Sequence, residues 1–238
     1  MVLAAAVLYG RRALVLRRRG RPVALRKVAC FVAGVLAVLL AFVSPIDAIG
    51  EERLFSVHMV QHLLIGDIGP LLVVLGVDGP LLRPVLALPG LARLRALAHP
   101  LVAFPLWATD LCVWHVPRLY DAALGNAGVH ALQHVLFFTC GALVWAALLE
   151  PLPGPHWFGA GRKALLLVGM WFVSLGLSQV FLWSGHAFYA RYRDAPRTWG
   201  LTPLDDQQLG GLLMWVPGNM YMLGAIAAVF YVWAKNDA

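Results

Sequence analysis

The chain has 238 residues, of which 61% are apolar and only 13% charged, with a mean hydropathy of +0.74. Soluble globular domains carry about 25% charge, so this composition excludes a soluble enzyme and points to an integral membrane protein. The excess of 19 Lys+Arg over 12 Asp+Glu is not a nucleic-acid footprint, because eight of the basic residues lie between Arg11 and Lys27, flanked by apolar runs.

Seven apolar runs are predicted as transmembrane helices: 2–16, 28–43, 57–77, 101–116, 129–149, 164–183 and 209–233. Most reach the roughly 20 residues that cross about 30 Å of hydrocarbon as helix. The first is short and interrupted by Arg11 and Arg12, so it either crosses by snorkelling those side chains or lies along the interface. Strands do not compete, since the runs are long, do not alternate, and an open sheet edge is forbidden in lipid. The fold class is all-α, a polytopic helical bundle forming one membrane domain over 1–238. Nine Trp and six Tyr, many near segment ends, suit an interfacial aromatic belt.

Charge sets the expected orientation. With the Arg11–Lys27 loop in the cytoplasm, the inner side also receives Arg83, Arg93, Arg95, Arg162, Lys163 and Lys235. The balance is then 14 basic residues inside against 5 outside, as the positive-inside rule requires. His58 and His62 then open the third segment at its outer end, and His130 and His134 open the fifth in the same way. His115 closes the fourth segment outside and His186 follows the sixth, whereas His99 and His156 fall on the inner side.

The histidine pairs belong to a repeat. VHMVQHLL begins at Val57 and VHALQHVL at Val129, 72 residues later, and Pro45 matches Pro117 at the same offset. Each unit reads as a helix rising outward, a proline, a loop of about a dozen residues, and a helix that re-enters with His-x-x-Gln-His. Residues four apart on a helix share a face about 6 Å apart in height, so each pair can converge on one ion, and two such helices supply four nitrogens. Gln61 and Gln133 lie close enough in azimuth to orient those rings. An all-imidazole set suits copper, zinc, iron or nickel and excludes magnesium and calcium. Met59, Met214, Met220 and Met222 add thioethers that lean towards Cu(I), and Cys112, three residues before His115, is a further soft donor. The three cysteines form no CxxC and no disulfide framework. Asp67 and Asp110 lie inside apolar segments, where an acid is either functional or bonded to a neutral partner such as Thr109 or Asn219. Asp205, Asp206, Glu51 and Glu52 stand at the outer ends, where they can draw cations inward or simply be solvated.

Several ordered segments carry a family resemblance: FVAGVLAVLLAFVSPIDAIG, FSVHMVQHLLIGDIGPLLVVLG, WHVPRLYDAAL, VHALQHVLFFTCGALVW and DDQQLGGLLMWVPG. Together they make the chain similar, over nearly its whole length, to the CtaG-type cytochrome c oxidase assembly factors, seven-helix proteins of bacterial plasma membranes. The resemblance implies a non-enzymatic role in maturing haem–copper oxidases, at the step that supplies copper. It implies a membrane partner in an oxidase subunit, a periplasmic copper donor and a metal site at His58, His62, His115, His130, His134 and, on the seventh helix, Asp206. Asp67 and His186 depart from the pattern expected of the family. Three other readings stay open from the residues alone. A b-type cytochrome would hold haem between the third and fifth segments, with Gly66, Gly69 and Gly141 opening a slot. A zinc enzyme would use Asp206 or Glu52 as base, and a metal-free scaffold would need no ligands.

Overall fold

The computed structural model describes residues 2–88 and 94–237, so Arg93, counted above on the inner side, lies outside the described residues. All regular structure among them is helical. In chain order the helices are α1 (Val2–Arg18), α2 (Leu25–Val43), α3 (Pro45–Glu52) and α4 (Phe55–His62), a π-helical stretch (Leu63–Ile68), then α5 (Gly69–Leu75), α6 (Gly79–Leu86), α7 (Leu94–Leu97), α8 (Pro100–Trp114), α9 (Pro117–Gly125), α10 (Ala127–Leu149), α11 (Ala160–Leu182), α12 (Ala190–Arg193) and α13 (Pro203–Asp237). Five are long and apolar enough to cross a membrane: Leu25–Val43, Phe55–Leu75 (α4 through α5), Ala127–Leu149, Ala160–Leu182 and Pro203–Lys235. The expected count of seven therefore becomes five of full length and two shorter helices. α8 has 15 residues, or about 22 Å at ~1.5 Å per residue. α1 has 17 and is anchored midway, where the Arg12 guanidinium donates to the Pro80 carbonyl at 2.9 and 3.1 Å.

The two linkers expected as loops are helices of 8 and 9 residues, α3 and α9. Each starts with its proline at N1, where a missing N–H costs nothing and φ is already helical. The Ser44 hydroxyl caps α3 by accepting from the Ile46 N–H at 3.2 Å. Asn126 caps α10 in the same way, accepting from the N–H groups of Gly128 at 2.9 Å and Val129 at 3.1 Å. The repeat seen in the sequence is thus a repeat of three helices, with a short surface helix between each rising and each re-entering one.

Polarity is distributed as a bilayer demands. Large apolar side chains such as Leu36, Leu101, Leu165, Phe172 and Leu212 face outward, while His58, Gln61, Gln133, Gln207 and Asn219 are buried inside. An apolar core of Trp107, Val144, Trp145, Leu167, Met170 and Met222 fills the end of the bundle away from the histidines. That end is also held by ion pairs, Lys27 to Asp78 at 2.9 Å and Lys163 to Glu150 at 2.7 Å. Small residues let the inner helices touch. A Cβ on Gly141 of α10 would collide with the Gly66 carbonyl in the π-helical stretch, so the backbones meet there directly. Instead of opening a slot, as a haem site would require, Gly66 and Gly141 bring the two histidine-bearing helices together.

Candidate metal centre

The histidine-bearing helix α4 has no side-chain cap of its own. Asp206 supplies one from α13: its carboxylate accepts from the N–H of Phe55 at 2.6 Å, from the N–H of Ser56 at 3.1 Å and from the Ser56 hydroxyl at 2.5 Å. A carboxylate at a helix N-terminus satisfies otherwise unpaired donors and faces the positive end of the helix dipole. Asp206 is therefore placed one turn above the histidines as the anchor of α4, and its bonds go to the backbone and to Ser56.

Below that cap the four imidazoles converge. One nitrogen from each of His58, His62, His130 and His134 lies within 4.8 Å of the others, and all four side chains are buried. The His58 and His130 Nε2 atoms are 3.4 Å apart. That is the edge expected for nitrogens about 2.0–2.1 Å from a shared tetrahedral ion, roughly 3.3 Å. His115 stands beside the group, its ring 5.9 Å from that of His62. Five of the six residues predicted from sequence thus gather in one place, and Asp206 alone takes a different post.

Hydrogen bonds outside the group decide which nitrogens carry protons. The Tyr192 hydroxyl lies 2.8 Å from the Gly50 carbonyl and 2.7 Å from His58 Nδ1, and with a single hydrogen it bonds both only by donating to Gly50 and accepting from His58. His58 is therefore protonated at Nδ1 and presents a bare Nε2. The Glu51 carboxylate lies 3.0 Å from His130 Nδ1 and can only accept, so that nitrogen also carries hydrogen. This bond holds the Glu51 carboxyl below the usual carboxylate range. His115 Nδ1 donates to the Leu111 carbonyl at 2.7 Å, leaving its Nε2 bare. Two bare nitrogens 3.4 Å apart repel unless a cation lies between them. A shared proton would satisfy His58 and His130 alone. The buried nitrogens of His62, His134 Nε2 and His115 Nε2 have no hydrogen-bond partner among the described residues, an arrangement that buried polar groups avoid unless a ligand completes it.

An aromatic layer shields this end. Tyr120 and Tyr189 stack at 3.9 Å, Phe55 packs against both, and the Tyr189 hydroxyl donates to the His115 carbonyl at 2.9 Å. Burial pushes the Tyr192 phenol well above its ordinary range, so it stays a neutral hydrogen-bond partner. Tyr192, Tyr120 and Tyr189 were not singled out from sequence. Their one visible signal was the clustering of tyrosines around the outer segment ends.

Other expectations land elsewhere. Gln61 donates to Asp47 at 2.6 Å and to the Ala41 carbonyl at 3.1 Å, not to a histidine, and Gln133 has no partner among the described residues. Cys112 is exposed and does not join the group. His186 is exposed on the loop after α11. Asp67 does find a neutral partner across helices, but it is Tyr221, whose hydroxyl donates at 2.6 Å, while Asn219 donates to Trp215 of its own helix. Asp110 lies against Cys140 and Trp114.

Comparison with known proteins places the chain in a family. The chain is 26% identical over 239 residues to uncharacterized proteins of Mycobacterium bovis and Mycobacterium tuberculosis, a match covering 93% of the chain. An uncharacterized protein of Mycobacterium leprae is also 26% identical, over 243 residues. The match spans 36% of the length of these relatives. No solved structure matches the chain. The model of the family described as cytochrome c oxidase caa3 assembly factor matches residues 7–236, and the chain belongs to that family.

Proposed function

We propose that this protein is a membrane assembly factor that holds a copper ion in the four-histidine group and passes it to a haem–copper oxidase. The observation that carries the reading is the pair of Nε2 atoms of His58 and His130, set 3.4 Å apart while each Nδ1 stands within 3.0 Å of an oxygen that can accept its hydrogen. Neutral imidazoles of this kind bind first-row transition metals, and copper is the one that a haem–copper oxidase takes up as an ion outside its haems. Copper here is cargo. Ligands that differ in reach allow exchange: His58 and His130 define the tightest edge, while the full set spreads to 4.8 Å. The ion can therefore be held by fewer than four nitrogens while a partner takes the vacated position.

The family assignment supports an oxidase subunit as the partner. The distribution of basic residues supports a multi-pass location in the bacterial plasma membrane, with the histidine end on the periplasmic side facing a copper donor. Only coordination bonds are exchanged in the cargo's passage and no covalent bond of a substrate changes, so the protein acts as a chaperone and not as an enzyme. A bis-histidine haem draws less support, because the His58 and His130 rings stand 5.3 Å apart at 70° with His62 and His134 crowded beside them.

The test is metal analysis of the purified protein alongside the His58→Ala/His62→Ala and His130→Ala/His134→Ala variants. Bound copper is expected in the wild type and reduced in both variants. A stoichiometric Soret band would replace copper with haem. Normal oxidase copper content in cells carrying all four substitutions would leave only a scaffold.

A further inference from the structure

The molecule has a second place where unpartnered nitrogens meet donors of a different kind. Beneath the four-histidine group lies a cavity of about 30 Å³, whose lining includes His62, His115, Met59, Met214, Asp67 and Phe137. Its volume exceeds the roughly 10–15 Å³ that one water-sized occupant needs. Met59 is fully buried and Met214 nearly so, and both pack in the aromatic cluster at this end of the bundle. His115 brings its bare, buried Nε2, because Nδ1 is committed to the Leu111 carbonyl. His62 has two buried ring nitrogens without partners among the described residues. They sit on opposite sides of the imidazole, and in the neutral ring one carries hydrogen and the other a lone pair, so His62 serves one ion at a time.

We propose that this cavity is a second metal station, that it takes Cu(I), and that His62 is shared between it and the group above. Two imidazole nitrogens with two thioethers form a softer set than four imidazoles, and soft sulfur donors select Cu(I). All four donors are neutral, and placing one positive charge in a low-dielectric interior costs far less than placing two. Asp67, which also lines the cavity, accepts from the Tyr221 hydroxyl at 2.6 Å and supplies at most one balancing charge. The station lies deeper in the bundle than the four-histidine group and meets it at a single ring. An ion can therefore cross between them by keeping the one bare nitrogen of His62 while its other ligands exchange, with no change of oxidation state.

This inference rests on the copper reading above, and its test separates the two. The full chain, purified in detergent, is loaded anaerobically with Cu(I) under ascorbate. Copper per chain is counted and its ligands are read by X-ray absorption. The wild type is expected to hold two Cu(I), one with nitrogen neighbours only and one with sulfur as well. In Met59→Leu/Met214→Leu, which preserves side-chain volume, the count falls to one and the sulfur signal disappears. His115→Gln is expected to weaken the same station at least tenfold against a chelator, with circular dichroism unchanged. His58→Ala/His130→Ala keeps the sulfur-bound ion. One copper per chain without sulfur in the wild type would overturn the second station and leave the four-histidine reading intact. A sulfur signal that survives the methionine substitutions overturns it too. A wild type that binds no copper removes both readings.

Discussion

At the scale of single residues, the chemistry of the centre depends on side chains that touch no ion. Tyr192 and Glu51 each accept a hydrogen from an Nδ1 atom and so direct a bare Nε2 inward at His58 and His130. Partners of this kind typically alter metal affinity about 10- to 100-fold when removed. Tyr192→Phe deletes the acceptor while keeping the ring in its aromatic layer. We expect copper affinity, measured by competition with a chromophoric chelator, to fall within that range with the helical content unchanged. An unaltered affinity would show that His58 does not depend on this bond for its tautomer. The histidines themselves were legible in the sequence, since HxxxH spacing twice over has a direct geometric meaning. Tyr192 was not, because it lies 134 residues from His58 and only the packing of α12 over α3 and α4 brings its hydroxyl to the ring.

At the scale of elements, two contacts hold the histidine helices in register. The first is the cap that Asp206 places on α4. Asn caps helices about as well as Asp, whereas Ala does not, and losing a cap costs about 0.5–2 kcal/mol. Asp206→Ala is therefore expected to lower stability in detergent unfolding by that amount, with Asp206→Asn losing part of it, because one of the two accepting oxygens becomes an NH2, and keeping copper binding close to wild type. If Asp206 were instead a metal ligand, the Asn variant would lose copper as severely as the Ala variant. The second contact is the touching of backbones at Gly141 and Gly66. A larger side chain at position 141 must push α10 away from the π-helical stretch, and overpacking of this kind costs about 1–3 kcal/mol. Gly141→Val should lower both stability and copper occupancy, the latter because His130 and His134 move away from His58 and His62. Helix positions were well anticipated by apolar run length. The helical character of the two linkers was not, because α3 and α9 contain too few residues for an apolar stripe and declare themselves only through Pro45, Pro117 and the Ser44 cap.

At the scale of the whole molecule, the reading requires the histidine end to face outward across a bilayer. This can be tested with single cysteines on a background in which Cys30, Cys112 and Cys140 are replaced. Arg193→Cys lies exposed at the histidine end and Arg18→Cys is exposed near the opposite end. A membrane-impermeant maleimide applied to intact spheroplasts is expected to label the first and spare the second until the membrane is broken. The reverse pattern would place the metal centre in the cytoplasm and remove the periplasmic donor from the scheme. Polar side chains buried in the interior and apolar ones facing outward are what a lipid-embedded bundle requires, and this inversion is visible throughout the described helices.

Composition and periodicity by themselves determined that the chain is a helical membrane protein, which ends of its helices lie together, and that six imidazoles share one of those ends. Those conclusions follow from local quantities: run length, basic-residue count and the rise of a helix per residue. Tertiary structure alone decided what each of those residues does. It made Asp206 a helix cap, turned two glycines into a point of backbone contact, assigned the tautomers of His58 and His130 through distant partners, and placed Met59 and Met214 on one cavity with His62 and His115. Each depends on groups separated by tens to hundreds of residues meeting within hydrogen-bonding or van der Waals range, and no local pattern encodes such a meeting.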